Sequence, residues 1–290
     1  MFIQQVMNGL TIGGVYALVA IGYTLVYGVL GMINFAHGSI YTLGAYFAWT
    51  AVARLGFSLP LAFLFSLACS VLVGVIVERT GYYPLRQATV ENQIICIFGL
   101  SIVLDNLIML IWGTVPKSFP SDIVPDWVSV GVAKFSPMQA IILLLTLVIL
   151  LVLYLLVYKT KTGLAMRAIA LNPEAASLMG INIGRLRLQT FILSAMLAAA
   201  SGTMIGAYYK IISYNLGLST VIKAFVVSIL GGIGNISGAV VGGLVLGQIE
   251  GLGAAYVSTG YKDAFAFVVM ILVLMLRPNG LLGTFTREKV

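Results

Sequence analysis

The first 53 residues of the chain contain no Lys, Arg, Asp or Glu. About 20 apolar residues already cross the hydrocarbon core of a bilayer, so a stretch of this length must hold more than one span. Uncharged apolar runs recur along the rest of the chain, and only 9% of its residues are charged, against about 25% in soluble proteins. The sequence therefore excludes a water-soluble fold and predicts an all-α membrane protein that crosses the bilayer several times.

Nine apolar segments are predicted along the chain. They cover residues 8–30, 39–54, 59–77, 93–113, 137–158, 188–210, 219–231, 238–254 and 263–277. Segments 219–231 and 238–254 are too short to cross comfortably alone, so we expect eight spans if they form one broken element and nine if each crosses. Residues 1–290 then form a single transmembrane domain.

Basic residues are concentrated in three connections, which hold ten of the sixteen in the chain. They are Arg79 and Arg86; Lys159, Lys161, Arg167, Arg185 and Arg187; and Arg277, Arg287 and Lys289. By the positive-inside rule we expect the loop 159–187 and the C-terminus to be cytoplasmic and the connection 114–136 to lie outside. This arrangement and contact with anionic membrane lipid explain the net charge of +7, so we expect no nucleic-acid partner.

A short helix is predicted within the loop 159–187. Asn172 can cap a helix start, Pro173 suits the first helical position, and Glu174 places a negative charge in the first turn. We expect a helix of about ten residues, from Pro173 to a stop at Gly184. Because a helix this short is not stable alone, it must pack on the chain's own membrane helices or on another protein. Helix physics leaves both alternatives open.

Motifs for nucleotide binding and for catalysis are absent from the sequence. It contains no Gly-x4-Gly-Lys-Ser/Thr loop, no Gly-x-Ser-x-Gly, no His-Glu-x-x-His and no Cys/His cluster. Cys69 and Cys96 lie in apolar segments, where small buried residues are expected rather than a disulfide or metal ligands. We therefore predict no catalytic residue, no metal site and no cofactor in this chain. Any energy from ATP must come from a separate subunit.

Two glycine-rich stretches interrupt the apolar runs, GVLGMINFAHGS at 28–39 and LGGIGNISGAVVGG at 230–243. Interruptions at membrane depth occur where protein or a water-filled cavity satisfies the backbone, and a pair of them points to a translocation path. The glycines themselves are equally explained by close helix packing. Four uncharged polar residues are candidates for lining a path or a gate: Asn34, His37, Asn235 and Ser237.

Few ionisable residues lie within or near the spans. They are Asp105, Lys223, Glu250, Lys262 and Asp263. Ion coupling generally needs buried titrating groups, so this sparse set fits a path whose energy comes from elsewhere. A gradient-driven secondary transporter or channel remains an alternative, because it would explain the two interrupted stretches equally well. It would leave the capped helix in the loop 159–187 unexplained.

Four segments resemble one family in order along nearly the whole chain. They are NGLTIGGVYALVAIGYTLVYGVLGMINFAHGSIYTLGAY, VERTGYYPLR, GLAMRAIALNPEAASLMGINIGRLR and AFVVSILGGIGNISGAVVGGLVLGQIE. They resemble permeases for branched-chain amino acids, a family that also includes amide and urea permeases. EAASLMG resembles the Glu-Ala-Ala-x3-Gly loop with which permeases of bacterial ABC importers dock on the ATPase. The resemblance assigns ATPase coupling to Glu174, Ala175, Ala176 and Gly180.

The resemblance also implies an assembly in the bacterial inner membrane. Importers of this family comprise two permeases, two ATPase subunits and a periplasmic substrate-binding protein. We expect this chain to be the shorter of two paralogous permeases and to form a heterodimer with the other. The implied substrates are leucine, isoleucine and valine, with amides or urea as the alternative.

Overall fold

The computed structural model describes residues 2–120, 128–130, 133–277 and 279–283. Eleven α-helices are found in these ranges: α1 Phe2–Leu30, α2 Ala36–Ala53, α3 Leu59–Val77, α4 Val90–Trp112, α5 Pro137–Lys159, α6 Lys161–Leu171, α7 Pro173–Leu178, α8 Ile183–Tyr209, α9 Leu216–Gly231, α10 Ile236–Tyr256 and α11 Lys262–Leu276. A π-helical turn Glu78–Tyr82 and a 3₁₀ turn Tyr83–Leu85 follow α3, and a 3₁₀ turn Thr259–Tyr261 precedes α11. Helices therefore make up nearly all the secondary structure of the described residues, which confirms the predicted all-α class.

Four short strands form two antiparallel pairs. β1, Lys117–Ser118, pairs with β4, Ile211–Ile212, and β2, Val128–Val130, pairs with β3, Ala133–Phe135. Three of these strands, β1, β2 and β3, lie in the predicted outer connection 114–136, of which residues 121–127 and 131–132 lie outside the described ranges. The basic residues Arg287 and Lys289 lie outside them as well.

Each of the nine predicted apolar segments corresponds to one helix. Among the described residues, seven helices are long and apolar enough to cross a membrane, and α2 and the 16-residue α9 complete the bundle. The segment 238–254 was predicted to be too short. The structure corrects this, because α10 has 21 residues and qualifies as a span.

The helices divide into a buried centre and an apolar periphery. The most apolar stretches of α1 and α8 are largely buried, whereas α3, α4, α5 and α11 expose most of their apolar side chains. An apolar surface of this extent is stable against lipid tails or another membrane subunit but not against water. The chain is therefore a multi-pass membrane protein.

Glycines allow the central helices to approach closely. α10 packs along α1 and α9 through its small-residue face. A Cβ atom added to Gly243 would lie 2.6 Å from the backbone nitrogen of Ala17, and one added to Gly242 would lie 2.6 Å from the carbonyl oxygen of Val227. Close packing therefore explains these glycines of the second interrupted stretch, as one of the two interpretations predicted.

The described parts of the three basic connections lie at one end of the bundle, which we call the basic end. Arg187 at the start of α8 stacks over Tyr82 in the turn after α3, with 5.5 Å between the guanidinium carbon and the ring centroid. Arg167 of α6 lines the same groove as Gly234 of the α9–α10 turn and Asn279 beyond α11. The opposite end, which we call the strand end, carries β1 and β4.

Candidate coupling helix and interrupted helices

The start of α7 is fixed by its capping residue. The Asn172 side-chain oxygen accepts a hydrogen bond of 3.0 Å from the backbone N–H of Ala175. Pro173 occupies the first helical position and Glu174 lies in the first turn. Both features favour a helix start, since proline needs no hydrogen-bond partner there and a carboxylate offsets the positive end of the helix dipole. The predicted start of the short helix is confirmed.

The predicted end of the helix was wrong. α7 ends at Leu178, and Gly180 follows it with φ of 82°, a conformation that favours glycine. The Gly180 N–H donates to the Ser177 carbonyl at 3.0 Å, and the Ile181 N–H donates to the Ala176 carbonyl at 3.1 Å. These two bonds form a Schellman motif, which stops a helix. α7 therefore has six residues instead of about ten.

Gly184, the predicted stop, lies in the first turn of the next helix. Asn182 caps α8 by accepting a hydrogen bond of 2.9 Å from the Arg185 N–H. Arg185 and Arg187 therefore belong to α8 and do not follow α7 directly. Asn172 and Asn182 therefore both cap helices, and only the first of these caps was predicted from the sequence.

α7 is anchored to the chain by one side chain. Ala176 is 4% exposed and packs in a small apolar cluster that also contains Val29, Met166, Ile169 and Leu186. The other residues assigned to ATPase coupling, Glu174, Ala175 and Gly180, are exposed. Leu178 and Met179 are also exposed, at 89% and 84%. The helix is therefore partly held by its own bundle and presents most of its surface outward.

A second helix in the same loop was not predicted. α6 runs from Lys161 to Leu171, and the hydroxyl of its N-cap, Thr160, accepts from the Gly163 N–H at 3.1 Å. Its buried residues Gly163, Met166 and Ile169 recur every three positions and face the bundle. That spacing and the Thr cap are signals that the sequence carries.

The first interruption carries the chain back into the bundle. α1 ends at Leu30 and α2 begins at Ala36. His37 Nε2 lies 3.0 Å from the Val19 carbonyl oxygen, and Val19 is roughly 16 Å from the basic end of α1 at the helical rise of 1.5 Å per residue. α2 therefore begins about half-way through the bundle. Its first turn meets that of α9, where a Cβ atom on Gly38 would lie 2.7 Å from the Gly217 oxygen.

His37 joins three helices. A carbonyl oxygen only accepts hydrogen bonds, so the Nε2 that faces Val19 carries a proton. The other ring nitrogen, Nδ1, lies 3.1 Å from the Ser194 hydroxyl of α8. Both ring nitrogens therefore have protein partners, and this buried side chain ties α2 to α1 and α8. Its role in a path or gate stays a prediction.

Asn34, also in the first interruption, has a buried side-chain amide. Its side chain is 1% exposed, and neither amide atom has a hydrogen-bond partner among the described residues. Buried amides without a partner are uncommon in folded proteins. Asn34 and His37 are brought close by the turn, since the His37 N–H donates to the Asn34 carbonyl at 3.3 Å. Asn34 also stays a prediction as a path residue.

The second interruption is a hydrogen-bonded turn at the basic end. The Asn235 side chain accepts from the Gly238 N–H at 3.0 Å, which caps α10, and donates to the Leu282 carbonyl at 2.7 Å. The Leu281 N–H in turn donates to the Leu230 carbonyl at 2.8 Å. Ser237 is exposed in the first turn of α10. No hydrogen bond within the described ranges links these two candidates to Asn34 or His37.

Charged side chains, of which Lys223 and Glu250 are buried, converge near the strand end, an arrangement that the sequence did not indicate. Lys223 Nζ of α9 lies 2.9 Å from Glu250 Oε1 of α10 and 2.8 Å from Asp263 Oδ1 of α11. The Tyr16 hydroxyl of α1 donates to Glu250 Oε2 at 2.8 Å and accepts from Lys223 at 3.2 Å. Lys262 donates to the Tyr209 hydroxyl of α8 at 3.2 Å. These ionisable residues are few, but most of them form one cluster.

The family described as "Branched-chain amino acid transport system / permease component" matches residues 5–274. The chain belongs to this family. It is 40% identical to the high-affinity branched-chain amino acid transport system permease protein LivH of Escherichia coli K12, over 100% of this chain and 98% of the relative. Identity and coverage are the same for the permease protein BraD of Pseudomonas aeruginosa.

One solved structure shares the fold of this permease-family member. A metal-chelate type ABC transporter in an inward-facing conformation superposes with a TM-score of 0.53, covering 94% of this chain and 84% of that chain. The sequences are 16% identical, so this likeness concerns the fold alone.

Gly180 offers a direct test of the helix stop. Replacing it with alanine forces a side chain into the left-handed region, at a cost of about 1–2 kcal/mol. We expect Gly180→Ala to increase amide hydrogen exchange at residues 175–181. Gly180→Asn is the matched control, because asparagine tolerates this conformation, and its exchange should stay close to that of the parent. Equal exchange in all three proteins would contradict the proposed role of Gly180.

Proposed function

We propose that this chain is the permease subunit of an ABC importer that moves leucine, isoleucine and valine across the bacterial inner membrane. ATP would be hydrolysed by separate ATPase subunits that dock on α7. The observation that carries the proposal is the exposure of the apolar residues Leu178 and Met179 at the end of α7. The chain that presents them belongs to a branched-chain amino acid permease family. Amides and urea are the alternative substrates.

The surface of α7 supports a docking role. Leu178 and Met179 project from a helix whose start is capped by Asn172 and whose end is fixed by Gly180. Apolar side chains exposed on a rigid element are typical of protein interfaces.

Movement of the docked helix would be transmitted through Ala176. This residue belongs to one apolar cluster with Leu186 of α8, Met166 and Ile169 of α6, and Val29 of α1. Among the seven candidate spans, α1 and α8 have the largest buried share. A push on α7 would therefore reach the centre of the protein through direct packing, which is how coupling travels between sites.

The proposed orientation places the basic end in the cytoplasm. Lys159, Lys161, Arg167, Arg185 and Arg187 surround α7 along the chain, and the positive-inside rule assigns such loops to the cytoplasmic side. The C-terminus would lie on the same side. The partners would be ATPase subunits, a second paralogous permease and a periplasmic binding protein, with lipid around the periphery.

Reconstitution tests the function. We expect liposomes that contain this chain, its paralogue and the ATPase to accumulate leucine only under two conditions. ATP must be present on the side of the membrane that carries the ATPase, and the leucine-loaded binding protein must be present on the opposite side. Omission of the ATPase should reduce uptake to the level of empty liposomes. Nucleotide-independent leucine flux through this chain alone would instead favour a gradient-driven transporter or channel. Uptake of amides or urea but not of leucine would overturn the substrate assignment.

A further inference from the structure

In the charge cluster near the strand end, Lys223 contacts two carboxylates that differ in their exposure to solvent. Glu250 is fully buried, whereas the Asp263 side chain is 68% exposed. Lys223 lies within 3 Å of an oxygen of each. We propose that the Lys223–Asp263 ion pair is a latch that joins α11 to α9 in this conformation and opens during transport. This inference rests on the proposed function, because a latch needs a cycle in which α11 moves.

Glu250 is the permanent partner in this arrangement. One of its oxygens accepts from the Tyr16 hydroxyl at 2.8 Å, and the other lies 2.9 Å from Lys223 Nζ. Separating Glu250 from Lys223 would leave a fully buried charge without compensation, which is strongly unfavourable. α9, α10 and α1 therefore stay together around this pair when the latch opens.

Asp263 is the partner that can be released. Water can solvate its exposed carboxylate when α11 moves away, and Lys223 remains paired with Glu250. The opening thus creates no uncompensated buried charge. The Lys223–Asp263 contact resembles a partly exposed ion pair, and such pairs contribute little to stability.

The packing of α11 leaves it dependent on these polar contacts. Ala266 is the one residue of α11 that is buried in the described structure. The start of this helix is held by Asp263 to Lys223 and by Lys262 to Tyr209 of α8. Because α11 has one buried residue and its apolar face is stable against lipid, the start of the helix can separate from α9 once these contacts are broken, while the segment beyond its other end stays bonded to α9 through Leu281 and Leu282. Ala266 lies less than one helical turn beyond the latch and would become accessible.

Thiol labelling of Ala266→Cys tests the latch in the assembled importer. The parent for the experiment also carries Cys69→Ser and Cys96→Ser, because both native cysteines are free and partly exposed. A membrane-impermeant thiol reagent is used to label Ala266→Cys. We expect Asp263→Asn to increase the labelling rate about two- to five-fold, the range expected from losing one partly exposed ion pair. Asp263→Glu should restore the slow rate, because it restores the charge.

A matched control removes a carboxylate elsewhere. Glu91→Gln changes an exposed acid in the first turn of α4, and the labelling rate should stay that of the parent. Equal rates for Asp263→Asn and the parent would overturn the latch. Faster labelling of Asp263→Asn from the other face of the membrane would support the latch but contradict the proposed orientation. The latch and the proposed orientation can therefore be disproved independently of each other.

A second measurement needs no reporter cysteine, in case Ala266→Cys prevents assembly. Amide hydrogen exchange of residues 262–276 should be faster in Asp263→Asn than in Asp263→Glu, in the importer with its native cysteines. Exchange in α10 at residues 247–253 should be the same in both variants, since Glu250 keeps its partners. Equal exchange of α11 in the two variants would overturn the proposal.

Discussion

Replacing Leu178 and Met179 together with aspartate is expected to abolish ATP-driven leucine uptake and to detach the ATPase from the permease. These side chains are exposed in the isolated chain. Burial in an interface would contribute about 1.5–3 kcal/mol for each side chain. Losing about 3 kcal/mol or more lowers affinity by more than about 100-fold. Co-purification of the ATPase with the permease, at a fixed salt concentration, measures the effect.

A control for this double variant changes an equally apolar pair elsewhere. Leu55 and Phe57 are exposed in the turn between α2 and α3, at the end opposite to α7. Leu55→Asp/Phe57→Asp should leave ATPase co-purification unchanged. If Leu178→Asp/Met179→Asp also retained the ATPase and full uptake, α7 would have no docking role. The proposal that it couples ATP hydrolysis to transport would then be wrong.

The elements that local chemistry determines were predictable from the sequence. Apolar runs identified the nine apolar helices that the described residues contain outside the loop 159–187, because a helix that crosses the bilayer needs about 20 mostly apolar residues. The start of α7 was predicted because Asn172, Pro173 and Glu174 act within one turn. Its end was not, because Gly180 and Gly184 are both plausible stops by sequence. The choice depends on Asn182, which begins the next helix two residues after Gly180.

The arrangement of the candidate path residues could not be predicted in the same way. Asn34, His37, Asn235 and Ser237 belong to two stretches of similar composition, yet one stretch returns half-way into the bundle and the other is a turn at the basic end. The difference comes from tertiary contacts, His37 with Ser194 in one case and Asn235 with Leu282 in the other. No local pattern contains this information.

The charge cluster shows a further limit of sequence reasoning. Lys223, Glu250 and Asp263 were identified as ionisable residues in or near spans, and their number suggested a path without ion coupling. Their mutual contact depends on how α9, α10 and α11 pack around Tyr16. A count of charges along the chain therefore says little about which charges compensate one another.

Lys223→Met is expected to lower the free energy of unfolding of the importer by about 3–5 kcal/mol, because it leaves Glu250 buried without a counter-charge. Methionine preserves most of the apolar stem of lysine, so the loss reports the missing charge and not a cavity. Unfolding in mixed micelles with increasing SDS, followed by circular dichroism, measures the change. Glu250 retains its hydrogen bond from Tyr16, which does not replace the lost charge.

The double variant Lys223→Met/Glu250→Gln separates charge compensation from shape. Removing both charges eliminates the uncompensated carboxylate, and replacing a buried ion pair by neutral groups is often close to neutral for stability. We expect the double variant to recover most of the stability that Lys223→Met loses. If it is instead as unstable as the single variant, the role of Lys223 lies in its contacts with Tyr16 and Asp263. If Lys223→Met were as stable as the parent, Glu250 would need no counter-charge. The argument that the Lys223–Glu250 pair stays together when the latch opens would then be wrong.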